Sequence, residues 1–297
     1  MIRVSDHDWS ADSAPGSGHF LTGAHGGLAD RLRALVQDPT NDPVLMGWCT
    51  LGSTFAAETV GRSGADVVCL DFEHGLMGWD SALATVMTLS AGRIPLVCRV
   101  ESHEPAGIMK ALDAGADGVV VPHVENAQEA RRAADATRYP PLGNRSWGPT
   151  RTSLLSSADT GEVNDRIVCL AMVESVGAIG GVSDIAATNN IDAILVGSND
   201  LCLGMATAER SRIAARSSPD FRELLSHVAT ACTQAGIPAG APASTPDERA
   251  MLRDLGFSIV ALSSDAALLR DAVRREIGHH RIHHQRDRAP SLPGERY

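Results

Sequence analysis

Val67-Val68-Cys69-Leu70-Asp71-Phe72-Glu73-His74-Gly75 decides how this chain is read. An apolar run of strand length stops abruptly, and three ionisable side chains and a glycine follow. Apolar runs without alternation belong to strands buried on both faces, as in a parallel sheet covered by helices. A carboxylate three residues before a histidine can orient an imidazole and raise its basicity. The stretch therefore reads as the end of a buried strand opening into a site.

Working outward, the same pattern recurs about eight times from residue 44. Short apolar runs at 45–49, 66–70, 96–99, 118–122, 167–173, 193–196, 237–240 and 258–262 predict strands. Helical spacing at 54–61, 81–90, 105–114, 127–136, 220–235, 246–255 and 265–277 fills the intervals, and 27–36 predicts a short leading helix with Leu28, Leu32, Leu35 and Val36 on its apolar face. Gly64, Gly115, Gly236 and Gly256 stand where helix C-caps are needed. Eight strand–helix units in about 235 residues predict a (β/α)8 TIM barrel. The runner-up is an open doubly wound sheet, and the lack of a G-x-G-x-x-G after the first strand weakens its dinucleotide-binding form. The domain reading is a flexible tail over 1–25, one barrel domain over 26–278 and a second flexible tail over 279–297. Residues 138–166 form a long, turn-rich insertion, read as an active-site lid.

Composition narrows the function. The chain has 297 residues, 43% hydrophobic and 21% charged, and a formal net charge of −10. That charge argues against nucleic acid and anionic membrane surfaces as partners. No apolar stretch approaches bilayer length and no secretory leader is evident, so the expected location is cytoplasmic. The six cysteines include no CxxC pair and read as buried free thiols. Lys110 is the only lysine and falls within a predicted outer helix. Schiff-base chemistry needs a lysine in the pocket, so a carbon–carbon lyase on this barrel would need a metal as electron sink.

In such a barrel, function gathers at the C-terminal strand ends. Glu174 and Asp200 close adjacent predicted strands, which lie about 4.8 Å apart. Two oxygen donors without Cys or His suit Mg²⁺ or Mn²⁺; the alternative is that each carboxylate caps a helix. Arg99 ends an otherwise apolar strand and reads as a clamp on an enolate or carboxylate oxygen, the alternative being a structural salt bridge to Glu73, Glu101 or Asp71. His74 reads as a general base whose tautomer Asp71 fixes. His123 is a candidate pocket residue, and Glu73 has a supporting part.

These residues resemble the HpcH/HpaI aldolase family of metal-dependent pyruvate aldolases. The resemblance is carried by Met46-Gly47-Trp48, Leu70-Asp71-Phe72-Glu73-His74-Gly75, Val97-Cys98-Arg99, Tyr139-Pro140-Pro141-Leu142-Gly143-Asn144-Arg145, Val173-Glu174-Ser175 and Gly197-Ser198-Asn199-Asp200-Leu201. It implies a barrel of the phosphoenolpyruvate/pyruvate type in which Glu174 and Asp200 hold Mg²⁺, Mn²⁺ or Co²⁺ against the 2-oxo acid. It further implies that Arg99 stabilises the enolate oxygen and that His74 acts on the C4 hydroxyl. The second substrate would be an aldehyde. A last helix swapped between subunits, in a hexamer or trimer of dimers, is also implied. The chain departs from the family where Met172 replaces a glutamine, where Ser198-Asn199 replaces Pro-Ala, and where Ser146 and Trp147 follow Arg145. Met172, Ser198, Asn199, Asp200, Arg99 and His123 thus form the expected substrate-binding set. The expected activity is class II aldol cleavage or formation of 4-hydroxy-2-oxo acids. The alternatives are oxaloacetate decarboxylation or biosynthetic enolate addition on the same site, and a non-catalytic 2-oxo-acid-binding protein.

Overall fold

The computed structural model describes residues 27–38, 40–155, 159–207 and 211–287. Helix α1 (Leu28–Gln37) leads into β1 (Val44–Cys49), α2 (Thr54–Arg62), β2 (Val67–Asp71), α3 (Trp79–Ala91) and β3 (Leu96–Arg99). Next come α4 (Pro105–Ala114), β4 (Gly118–Val121) and α5 (Ala127–Thr137), with α6 (Thr152–Leu155) and α7 (Thr160–Arg166) before β5 (Val168–Val173). Two short helices, α8 (Val176–Gly180) and α9 (Val182–Ala186), precede β6 (Ala193–Val196). The chain then forms α10 (Ser198–Gly204), α11 (Arg212–Arg216), α12 (Pro219–Ala235), β7 (Ala239–Pro242), α13 (Pro246–Asp254), β8 (Ile259–Ala261) and α14 (Asp265–Asp287). The eight strands pair in sequence order, all parallel, and β8 closes on β1. The molecule is a (β/α)8 TIM barrel.

Side chains sort into two cores. Inside the barrel, Met46, Cys69, Val97, Val120, Leu170, Met172 and Leu195 pack together, and the apolar face of α1 (Leu28, Leu32, Leu35) joins them. The leading helix therefore plugs the N-terminal end of the barrel, although Val36 stays exposed. The second core lies between the strands and the outer helices. At the plugged end, Asp66, Asp117 and Asp192 each accept a hydrogen bond from a strand-opening amide, those of Leu45, Leu96 and Cys169, at 2.7–2.9 Å. These three aspartates tie β1 to β2, β3 to β4 and β5 to β6 at their starts and leave the opposite end free for chemistry.

The four glycines expected at helix ends all have positive φ, from 69° at Gly236 to 105° at Gly115, where an L side chain would be strained. Strand β7 runs two residues later than its apolar count suggests, because Ala239-Gly240-Ala241 does the pairing. A Cβ on Gly240 would lie 2.3 Å from Leu195 Cδ2, so a small residue marks this strand where a large apolar one was expected. The six cysteines are buried and free, and burial pushes their thiols above the usual range.

The insertion is not a lid on this chain's own site. It joins the end of α5 to the start of β5, and both lie at the plugged end. There Arg138 pairs with Asp192 at 2.8 Å and the buried Arg145 with Asp113 at 2.8 Å. Tyr139 and Asn164 exchange two hydrogen bonds. The C-terminal tail reading also changes, since α14 continues through residues 279–287 as helix. The predicted N-terminal tail and residues 288–297 lie outside the described residues. No helix among the described residues is long and apolar enough to cross a membrane.

Candidate active site

A cavity of about 380 Å³ opens at the C-terminal strand ends. Asp71, His74 and Arg99 line it from β2 and β3, and Met172 and Glu174 from β5. Ser198, Asn199 and Asp200 come from the start of α10, and Trp48 from β1. Eight of the nine expected site residues thus converge. His123 does not line the cavity and is corrected below.

Register places the first pair. Asp71 and Arg99 are directly opposed where β2 meets β3. The Asp71 carboxylate is 1% exposed and accepts from Arg99 Nε at 2.9 Å and Nη2 at 2.5 Å. It also accepts from the backbone amides of Glu73 and His74 and from Trp48 Nε1, each at 3.1 Å. Burial opposes the charge on Asp71, but the Arg99 contacts outweigh it and hold the carboxyl below its usual range. The expected role of Asp71 as the orienter of the His74 imidazole is therefore corrected. Asp71 grips the His74 backbone amide and spends its side chain on Arg99. The imidazole of His74 lies 3.9 Å from Glu73 and is 65% exposed at the cavity wall.

Arg99 has a second anion. Its Nη1 lies 2.7 Å from Glu73 Oε2, and its guanidinium sits 5.1 Å from the Trp48 ring centroid. Arg99 thus forms the salt bridge to Asp71 and Glu73, and it also lines the cavity. A guanidinium carries five N–H donors. Those on Nε and Nη2 go to Asp71, and the Nη1 contact with Glu73 is an ion pair without hydrogen-bond alignment.

Glu174 follows β5 and folds back over Gly197 at the end of β6. A Cβ on Gly197 would lie 2.4 Å from Glu174 Oε1, so glycine is needed for the carboxylate to rest there. Glu174 is 4% exposed. His123 Nδ1 stands 2.8 Å from Oε2, and His123 Nε2 is 2.8 Å from Glu73 Oε1. These are ion-pair distances without hydrogen-bond alignment for Glu174, whose two buried oxygens find no aligned donor among the described residues. His123, in the left-handed region with φ 53°, thus bridges two carboxylates and is not among the residues that line the cavity. Burial, followed by the charges of Glu73 and Asp200 against that of His123, pushes the Glu174 carboxyl up to about 7.

An orphaned buried carboxylate beside a second acid is the chemistry a hard divalent cation satisfies. Among the described residues no group of three or more His, Cys, Asp or Glu is placed to hold a metal. Glu174 and Asp200 both line the cavity, and the Asp200 charge acts on Glu174; two carboxylates are a donor set that suits an ion keeping several waters. Lys110 is exposed on α4, its Nζ 4.7 Å from the Trp79 ring centroid, and is absent from the cavity.

Trp48 is the residue that position-by-position reading passed over. Its signal was present: Val44 and Met46 point into the barrel, so Trp48 at the next alternate position faces the cavity floor.

The HpcH/HpaI aldolase/citrate lyase family matches residues 45–272, from β1 into α14. The chain belongs to this family. A hydroxypyruvate/pyruvate aldolase of Rhizorhabdus wittichii is 30% identical over 236 residues, covering 79% of this chain and 93% of the relative. Macrophomate synthase is 26% identical with a TM-score of 0.78, covering 89% of this chain and 92% of that structure. The citrate lyase beta subunit of M. tuberculosis, complexed with oxaloacetate and magnesium, shares the fold at 18% identity and a TM-score of 0.52, over 80% and 95% of the two chains. As an HpcH/HpaI family member with such aldolase relatives, the protein is a carbon–carbon lyase of the pyruvate aldolase type. That sets aside the non-catalytic reading.

Proposed function

We propose that this aldolase cleaves or forms 4-hydroxy-2-oxo acids with a divalent metal, Mg²⁺ or Mn²⁺, held by Glu174 and Asp200. The observation that carries the reading is Glu174, buried over Gly197 with neither oxygen satisfied, in a cavity that holds no lysine. When bound, the metal supplies the electron-withdrawing pull on a 2-oxo acid that an iminium would supply in a lysine-dependent enzyme. The Arg99 guanidinium, which lines the cavity, stabilises the enolate oxygen as C3 becomes nucleophilic. Asp71, Glu73 and Trp48 hold that guanidinium in place. His74, exposed at the wall, takes the C4 hydroxyl proton in cleavage and returns it in synthesis, directly or through water.

The test is exchange of the pyruvate C3 protons in deuterated buffer. Exchange is expected with Mg²⁺ or Mn²⁺ and not after chelation, and Lys110→Ala is expected to exchange at close to the parent rate. No exchange with any divalent metal, or a dead Lys110→Ala protein, would overturn the reading. A second outcome on the same site is oxaloacetate decarboxylation, favoured by Met172 and Leu195 making part of the cavity wall apolar. Pyruvate release from oxaloacetate without any aldol activity would select it.

The same reading places α14 against a second copy of the chain. This 23-residue helix leaves Leu268, Leu269, Val273 and Ile277 exposed, an apolar surface that a neighbouring copy would cover. Sedimentation is expected to show an oligomer that Leu269→Glu with Val273→Glu dissociates; a monomeric parent protein would overturn this placement.

A further inference from the structure

We propose that Asp265 is a positioning residue for proton transfer: from the first turn of α14 it fixes Thr50 and, through Thr50, the loop that carries His74. The inference rests on the aldolase reading above and adds a residue to its proton-handling side.

Asp265 opens α14, yet its neighbour caps that helix. Ser264 Oγ accepts from the Ala267 amide at 3.3 Å, the usual bond from a cap to the third helical residue. Asp265 accepts from Ala266 N at 2.8 Å, and its other bonds turn away from its own helix. Oδ1 accepts from Thr50 N at 2.8 Å and from Thr50 Oγ1 at 3.0 Å, and Leu51 N lies 3.3 Å from both oxygens. Those donors follow β1, 214 and 215 residues earlier in the chain. The residue is 7% exposed, although α14 is exposed further on at Leu268, Leu269, Val273 and Ile277. A carboxylate is thus buried at the joint between α14 and the loop after β1, where hydrogen bonds to a charged acceptor are of the stronger class.

Thr50 passes the constraint on. Its carbonyl accepts from Leu76 N at 2.8 Å. Gly52, with φ 69°, lets the two loops meet, since a Cβ there would lie 3.0 Å from the carbonyl carbon and oxygen of Leu76. The loop after β2 is therefore held at two places. Asp71 holds the amides of Glu73 and His74, and Thr50 holds that of Leu76. His74 lies between them. Its ring is 65% exposed and stands 3.9 Å from Glu73, too far for a hydrogen bond to orient it. The ring takes its place from the backbone beneath it. In cleavage His74 takes the C4 hydroxyl proton, the electrons of the C3–C4 bond pass to C3 as the enolate of pyruvate, and the aldehyde leaves. That transfer needs hydrogen-bond reach, and a misplacement of about 1 Å costs about 100-fold. The 2-oxo end of the substrate is held by other groups, Glu174, Asp200 and Arg99. The joint at Asp265 thus acts on kcat rather than on affinity.

The experiment follows pyruvate release from 4-hydroxy-2-oxobutanoate, the simplest 4-hydroxy-2-oxo acid, by the full chain with Mg²⁺. Asp265→Ser keeps a polar group at the helix start but is too short to reach Thr50. Its kcat is expected to fall by about 10–100-fold with KM within about threefold of the parent. Its Mg²⁺-dependent rise in Tm should match that of the parent, because the metal end is untouched. Asp265→Asn, which keeps an oxygen for Thr50, should retain most of the turnover. Gly52→Ala, which forces the two loops apart without touching Asp265, should show the same split as Asp265→Ser and stands in for it should that variant fail to fold. An unchanged kcat in Asp265→Ser or Gly52→Ala, a loss carried by KM, a lost Mg²⁺ response in both, or an equal loss in Asp265→Asn would overturn the joint. So would a parent that exchanges pyruvate protons but does not cleave this acid. Pyruvate C3 exchange in the parent separates the levels: exchange with any of these outcomes removes the joint alone, whereas no exchange removes the aldolase reading and the joint with it.

Discussion

Glu174→Gln is expected to lower turnover by about 10³-fold and, without metal, to make the protein more stable at pH 8. The two effects have one cause. Glu174 is buried, and neither of its oxygens meets an aligned donor among the described residues. Its carboxyl is raised to about 7 in the folded chain from an ordinary value of 4.5. The native state therefore binds this proton more tightly than the unfolded state. The group's stabilising contribution is complete below pH 4.5 and fades as pH rises to about 7; above that the full cost of burying the charge is felt. Neighbouring charges share in the shift and solvent reaches part of the site, so the recoverable cost is about 1–2 kcal/mol. Glutamine keeps the shape and never ionises. The gap in Tm between variant and parent should thus open by about 2–5 °C between pH 5 and pH 8. Added Mg²⁺ should raise the Tm of the parent, since a ligand of the native state stabilises it by mass action, and should leave that of the variant unchanged. Calorimetry at the two pH values, with and without Mg²⁺, reads every part of this. A metal-dependent rise in Tm that survives in Glu174→Gln would show that the ion binds elsewhere.

The barrel was legible because its strands are continuous apolar runs and its helices end on glycine, two signals that are local in sequence. Seven strands stand within one residue of where the runs place them, and β7 lies two residues later. β7 slipped because its pairing is done by alanine and glycine, whose size matters to Leu195 and Ile259 and to nothing nearby in sequence. The short helices α8 to α11 were invisible for a related reason: five to seven residues are too few for a 3.6-residue period to show. The insertion was misjudged because length and turn composition say that a loop is long, whereas strand order says at which end it lies. Within the site, residue types at strand ends gave the membership of the cavity. They could not give the pairing. Asp71 and His74 are three apart in sequence, which suggested one hydrogen bond; Asp71 and Arg99 are 28 apart and face each other only because β2 and β3 share a register. The bridge that His123 makes between Glu73 and Glu174 depends in the same way on three different loops.

Asp71→Ala is expected to cost about 3–5 kcal/mol of stability, the usual penalty for leaving a buried ion without its partner, and to lower Tm by about 10 °C. One carboxylate here receives five donors: two from Arg99, two backbone amides and the Trp48 indole. Removing it leaves a guanidinium that is 8% exposed with Glu73 alone. The sign with pH is opposite to that of Glu174. The Asp71 carboxyl is held below its usual range, so its contribution is present above the unfolded value near 3.8 and is lost as pH falls through the folded value. The difference in stability between parent and variant should therefore shrink below pH 4. Asp71→Asn, which keeps the shape but only one acceptor oxygen, separates the two roles considered for this residue. If Asp71 tuned the His74 ring, losing its charge would move the acid limb of the kcat/KM profile by about one pH unit or more. The fold has Asp71 touching only the backbone of His74 and gripping the side chain of Arg99. The limb should stay in place while kcat falls by about 10²-fold, because the donors that meet the enolate oxygen are no longer aimed. A shifted limb with kcat preserved would return Asp71 to the imidazole and leave the Arg99 clamp without its anchor.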